Sequence, residues 1–235
     1  MKIDFQYAWS QLINNWPLFW YGIKMTIAFA VVGTLAGLII GLIIGAIRCV
    51  PLDPLDKPVT RFFKRLGRFI TGFYVWVFRG TPMMVQAVFL YYLFKPVLHW
   101  NNFTAGMVII SVNTAAYMAE IIRAGIQSVD IGQMEAGRSL GLPYWKTMRK
   151  IILPQAIRTM IPSIINQFII TVKDTSILSV IGFPELVLAA KQVQANTFKA
   201  FETWAIVGIM YLIVITILSY LAKLVERRMN RGINR

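Results

Sequence analysis

The chain holds one cysteine, one histidine and ten acidic residues among 235. A lone Cys49 can form neither an intrachain disulfide nor a cysteine-based metal cluster, which argues against redox chemistry. His99 stands beside Trp100 and Asn101 without carboxylate or imidazole neighbours at metal-ligand spacing. It reads as an interfacial residue, not as part of a catalytic or metal centre. Charged residues reach only 14%, short of the roughly one quarter usual in soluble domains. A Gly-x-x-x-x-Gly-Lys-Ser/Thr phosphate loop is missing as well, so the chain is not expected to hydrolyse ATP or to hold a cofactor. No linker, low-complexity run or repeat divides residues 1–235, and we read them as a single integral membrane domain.

What the chain has is apolar length. Residues 25–47 and 204–221 carry no charge and residues 69–94 only Arg79; about 20 helical residues cross a hydrocarbon core of ~30 Å, so each can span it. Residues 103–119 and 159–172 are shorter, and fit a membrane if their ends run into protein-lined polar space. The expectation is an all-α integral membrane fold of about five transmembrane helices.

Lysine and arginine set the orientation. Residues 48–68 hold six, residues 123–158 six and the tail from Lys223 five, or 17 of the 24. Under five spans these regions share one side, so that side is cytoplasmic, with the N-terminus outside and the C-terminus inside. The net charge of +14 therefore borders the spans, where orientation and anionic lipid account for it better than nucleic acid does. Residues 1–12 lack a basic start before an apolar run and include Asp4, unlike a cleaved signal. Trp9, Trp16, Trp20 and Tyr21 resemble instead an interfacial lead into the first span.

Gly33, Gly37, Gly41 and Gly45 recur every four residues on one helix face, and predict close approach by a neighbouring helix, with a substrate path along the stripe as the lesser reading. Arg79-Gly80-Thr81-Pro82 interrupts the second span, because Pro82 lacks an amide hydrogen and disfavours helix at Thr81. Arg79 either faces the resulting polar break or snorkels to an interface. Asn113, Tyr117 and Glu120 are spaced by four and three and share a helix face. They form, with Arg79, Gln167, Lys173 and Asp174, the candidate substrate pathway, since charges inside spans default to function. A polar network between helices, with Glu120 paired to Arg123 or Arg79, explains the same residues. Lys173 and Asp174 fit an outer gate or an interfacial charge pair. Beyond them, the Gly182-Phe183-Pro184 turn and an amphipathic run to Phe201 predict an external re-entrant or interfacial helix, not a sixth span.

Residues 130–150 form a polar island. Asp130 suits a helix N-cap, Gly141 suits the left-handed residue that ends that helix, and Pro143 the first turn of a second. Tyr144, Trp145 and Met148 alternate there with Lys146, Arg149 and Lys150. Such a helix can lie on anionic lipid or dock to a protein.

The spacing Glu135-Ala136, Gly141, Ile151, Leu153, Pro154 resembles the cytoplasmic signature of bacterial ABC importer permeases, Glu-Ala-Ala, then Gly, then Ile-x-Leu-Pro, with Gly137 in place of the second alanine. Residues 78–82, 113–120 and 164–176 also resemble the polar amino-acid branch, the histidine-, glutamine- and arginine-type permeases. This resemblance, over residues 17–225, implies a multi-pass permease of the bacterial cytoplasmic membrane. It implies two ABC ATPase subunits that bind ATP and Mg, an extracellular or periplasmic amino-acid-binding protein, and a second permease subunit, identical or related. Glu135, Ala136, Gly137, Gly141, Ile151, Leu153 and Pro154 would then form the coupling helix seated on the ATPase. Against this stand an ion-gradient-driven transporter, for which related halves are expected but none is visible, and a membrane enzyme without a discernible nucleophile.

Overall fold

The computed structural model describes residues 5–230; Asp4, Arg231 and Arg235 lie outside them. Among the described residues every regular element is helical. A short α1 (Phe5–Asn14) leads into α2 (Trp16–Cys49). At 1.5 Å per residue, α2 runs roughly 50 Å, longer than the hydrocarbon core alone requires. A broken pair follows, α3 (Pro58–Gly80) and α4 (Met83–Leu98), bent by 115° at Thr81-Pro82. α5 (Asn102–Gln127) returns to the basic end of the molecule.

The glycine stripe is a packing seam. α2 and α5 run parallel, and a Cβ built on Gly33, Gly37, Gly41 or Gly45 would lie 2.6–2.9 Å from Ile110, Thr114, Met118 and Ile122 in turn. Those four α5 residues also recur every four, so two i, i+4 rows face each other and the missing methyls permit the approach. The seam fixes the height and rotation of α5, and hence the face that carries Tyr117 and Glu120.

The polar island folds as α6 (Ile131–Ser139), capped by the Asp130 carboxylate, which accepts from the Gly132 amide at 2.7 Å. Gly141 adopts φ +79°. Its amide donates to the Arg138 carbonyl at 2.9 Å and the Leu142 amide to the Gly137 carbonyl at 3.1 Å, the two bonds of a glycine-terminated helix end.

Pro143 is the N-cap residue of α7 (Tyr144–Thr147), one place earlier than the expected first turn. Nor does that helix stay separate. Through a π-helical turn at Met148–Ile152 it continues into α8 (Leu153–Asp174) and then into a 3₁₀ turn at Thr175–Ile181, making one helical stretch of 38 residues. Lys150, Pro154 and Arg158 cut the apolar run in sequence but not the helix. Proline is tolerated in the first turn of α8, where the preceding π turn already displaces the regular bonding.

After Gly182 (φ +75°), the Phe183 ring is buried 4.2 Å from Phe29. α9 (Leu186–Thr197) then buries Leu186, Ala189, Ala190 and Val193 with Phe19, Ile23 and Met210. The expected external segment is thus built into one end of the bundle and makes no further crossing. α10 (Ala200–Asn230) is the last element among the described residues. Counting the bent pair once, five segments have the length and composition to cross a membrane.

Candidate functional site

A polar centre forms where the break between α3 and α4 meets α5 and α8. Thr81 and Pro82 leave helical carbonyls of α3 without partners. Gln86 supplies them: its side-chain amide donates to the carbonyls of Phe78 and Thr81, both at 2.9 Å, and to Thr81 Oγ1 at 2.7 Å. Its own oxygen accepts from Asn113 Nδ2 at 2.7 Å. Asn113 is therefore a buried brace that holds the break against α5, and it does not line the adjoining cavity. Tyr74 adds a second brace, its hydroxyl donating to the Val112 carbonyl.

Glu120 gathers three guanidinium groups. Arg48 Nη1 lies 2.7 Å from Oε2, Arg123 Nε donates to Oε1 at 2.9 Å, and Arg79 approaches Oε2 at 3.9 Å. Both partners expected from sequence are present, and Arg48, distant in the chain, is added. One carboxylate cannot neutralise three guanidiniums. Arg79 is held most loosely, with its side chain 43% exposed and its guanidinium 5.6 Å from the Tyr117 ring centroid.

Arg79, Tyr117 and Glu120 line a cavity of about 360 Å³ whose far wall is Thr159, Ser163 and Gln167 of α8. These three recur every four residues, on one helix face. The spacing is visible in sequence, yet only Gln167 stands out there, because Thr159 and Ser163 are small and common in spans. On the other side of Arg79, a second cavity of about 460 Å³ is bounded by Arg48, Trp76, Tyr117 and Glu120. Lys173 and Asp174 lie elsewhere. Lys173 borders a separate cavity of about 510 Å³ with Ser176, Trp204 and Tyr211, and neither residue has an ion pair among the described residues.

The island's signature residues divide by direction. Glu135, Ala136, Gly141 and Pro154 are exposed, whereas Gly137 is buried and Ile151 and Leu153 are half-buried. Gly137 faces Thr147 and Ile151: an added Cβ would come 2.5 Å from Thr147 Cγ2 and 3.3 Å from Ile151 Cδ1. The departure from alanine at this place thus has a local cause. Ile131, Leu140 and Trp145 stand among the most exposed large apolar residues. Beneath the loop a cavity of about 290 Å³ is lined by Arg48, Gln127, Met134 and Tyr144. Arg123 bonds both Gln127 and Glu120, so the loop and the polar centre share side chains.

Residues 37–231 match the family model described as a binding-protein-dependent transport system inner membrane component. The chain is 38% identical over 227 residues to the glutamine transport system permease protein of Escherichia coli (strain K12), covering 95% of this chain and 98% of that one. To the arginine transport system permease protein of Bacillus subtilis (strain 168) it is 34% identical over 231 residues, or 97% and 98% of the two chains. The crystal structure of an amino acid ABC transporter with histidines superposes with a TM-score of 0.83 at 35% identity, over 97% and 100% of the chains. The MetNI methionine ABC transporter shares the fold at 20% identity, with a TM-score of 0.74 over 90% of this chain and 96% of that one.

Proposed function

We propose, for a chain that belongs to the family of binding-protein-dependent transport system inner membrane components, that a polar amino acid passes through the cavity at Arg79 and that residues 130–154 couple this passage to a partner ATPase. The chain is a membrane-spanning permease subunit of an ATP-driven amino-acid importer. ATP and Mg reside in two ATPase subunits, because this chain has no phosphate loop. An external binding protein delivers the amino acid, and a second permease subunit, identical or related, completes the pathway. The basic end of the bundle faces the cytoplasm, which leaves the N-terminus outside.

The observation that carries the substrate reading is the unmatched guanidinium. Arg48 and Arg123 hold Glu120 closely, while Arg79 is 3.9 Å away and open to two cavities. An amino acid's carboxylate takes a bidentate place on Arg79. Its ammonium lies against the face of the Tyr117 ring, and its polar side chain meets Ser163 and Gln167. A neutral amide side chain suits this wall better than a cationic one, because the only carboxylate lining it is already committed to two arginines. The glutamine-named relative at 38% identity agrees with that choice.

At the other site, the exposed Ile131, Leu140 and Trp145 give a partner an apolar seat, and Gly137, Ile151 and Leu153 brace the loop from inside. ATPase closure moves this loop, and Gln127, Arg123 and Glu120 relay the displacement to the cavity, a change between two states biased by nucleotide.

Binding of radiolabelled glutamine to the purified transporter tests the substrate reading. Arg79→Ala should weaken binding by about tenfold or more, the weight of a charge-assisted bond, and Arg79→Lys should recover part of it. Unchanged affinity in Arg79→Ala would remove Arg79 from the site.

A further inference from the structure

Between α1, α2 and the first half of α10 runs an apolar groove of about 600 Å³, lined by Trp16, Trp20, Lys24, Ile27, Ile213 and Ile217 among others. Its α10 wall, from Ile206 to Ile217, rises roughly 16 Å at 1.5 Å per residue. That is about half of a ~30 Å hydrocarbon core, the depth of one leaflet. One end is marked by Trp16 and Trp20, whose rings stack at 5.9 Å, and by the exposed Trp9. Tryptophans of this kind settle at headgroup level.

Lys24 lies one turn inward of Trp20 and on the same face of α2. It is exposed and has no ion pair among the described residues. An ammonium at that depth reaches toward the interface and needs an anion. An apolar slot one leaflet deep, with a cation near its tryptophan end, is complementary to a phospholipid. A second copy of the chain would instead set another apolar face against Lys24 and leave its charge unpaired in hydrocarbon.

We propose that this groove binds one phospholipid of the leaflet on the Trp16–Trp20 side, with one acyl chain along Ile213 and Ile217 and the phosphate on Lys24. The site is separate from the polar centre and does not depend on which amino acid is carried.

The assembled transporter, reconstituted with phosphatidylglycerol bearing a photoreactive diazirine at its acyl terminus, supplies the test. Labelling should concentrate on peptides containing Ile213 and Ile217. Ile213→Trp, which fills the slot, should abolish it. Lys24→Gln should lower it about fivefold, the weight of one lysine–phosphate contact, without changing labelling at other lipid-facing helices. Labelling spread evenly over the exposed faces, or indifferent to both variants, would overturn the proposal. So would a copy-to-copy disulfide through Ile213→Cys in a Cys49→Ser background, since it would make this face a subunit interface.

Discussion

Replacing Gly137 by the alanine of the family signature should weaken the loop that it nominally restores. Alanine is favoured over glycine in a helix by about 1 kcal/mol. Against that gain stands a methyl placed 2.5 Å from Thr147 Cγ2, a side chain that is 0% exposed and cannot swing into solvent. Overpacking of this kind costs about 1–3 kcal/mol, and the short contact with an enclosed partner places it near the upper end. The net expectation is a loss of about 1–2 kcal/mol for the loop. Thr147→Ser removes the offending methyl and keeps the hydroxyl that donates to the Pro143 carbonyl at 3.3 Å. On its own it costs about 1 kcal/mol for the lost buried methyl. In combination the two changes should offset each other, leaving a coupling of about 2 kcal/mol in the double-mutant cycle. Hydrogen exchange of the α6 amides reads this directly. Gly137→Ala should speed local exchange by roughly tenfold, and the double variant should return it close to the original rate. Additive effects, or slower exchange in Gly137→Ala alone, would refute the contact as the reason for glycine here.

Other outcomes follow from the same geometry. Gly141→Pro removes the amide that donates to Arg138 and forbids φ +79°; it should abolish ATP-driven uptake while leaving membrane insertion intact, and normal uptake in that variant would sink the coupling role. Burial pushes the Glu185 carboxyl up, to about 7, although the Val187 and Leu188 amides and the Tyr211 hydroxyl all donate to it. A carboxyl raised in the folded state stabilises most below its ordinary value near 4.3 and loses that contribution as pH rises through about 7. Thermal midpoints at pH 5 and pH 8 should therefore fall more for the native chain than for Glu185→Gln, and parallel pH curves would contradict the assignment.

Local rules were legible wherever the cause and its effect are close in sequence. Asp130 and Gly141 bracket α6 as capping chemistry requires, the glycine stripe found its neighbour in α5, and Pro82 broke the second span. The continuity from Tyr144 to Ile181 was not legible. Charge and proline look like boundaries to hydropathy, but a π turn and surrounding protein absorb both. Nor is Gln86 legible in sequence, because one amide in an apolar run carries no signal until the carbonyls it serves are placed beside it. Arg48 counted only as a basic loop residue, since its partner Glu120 is 72 positions away. Even Gly137, plainly a departure from the signature, is explained by Thr147 across the turn and not by anything in its own helix.

Uptake of radiolabelled glutamine into vesicles, with ATP supplied and the ion gradients collapsed, separates ATP-driven import from gradient-driven transport. Uptake should persist without gradients, stop when the ATPase subunit is withheld, and be lost in Gly141→Pro. Uptake that requires a gradient and survives loss of the ATPase would contradict it.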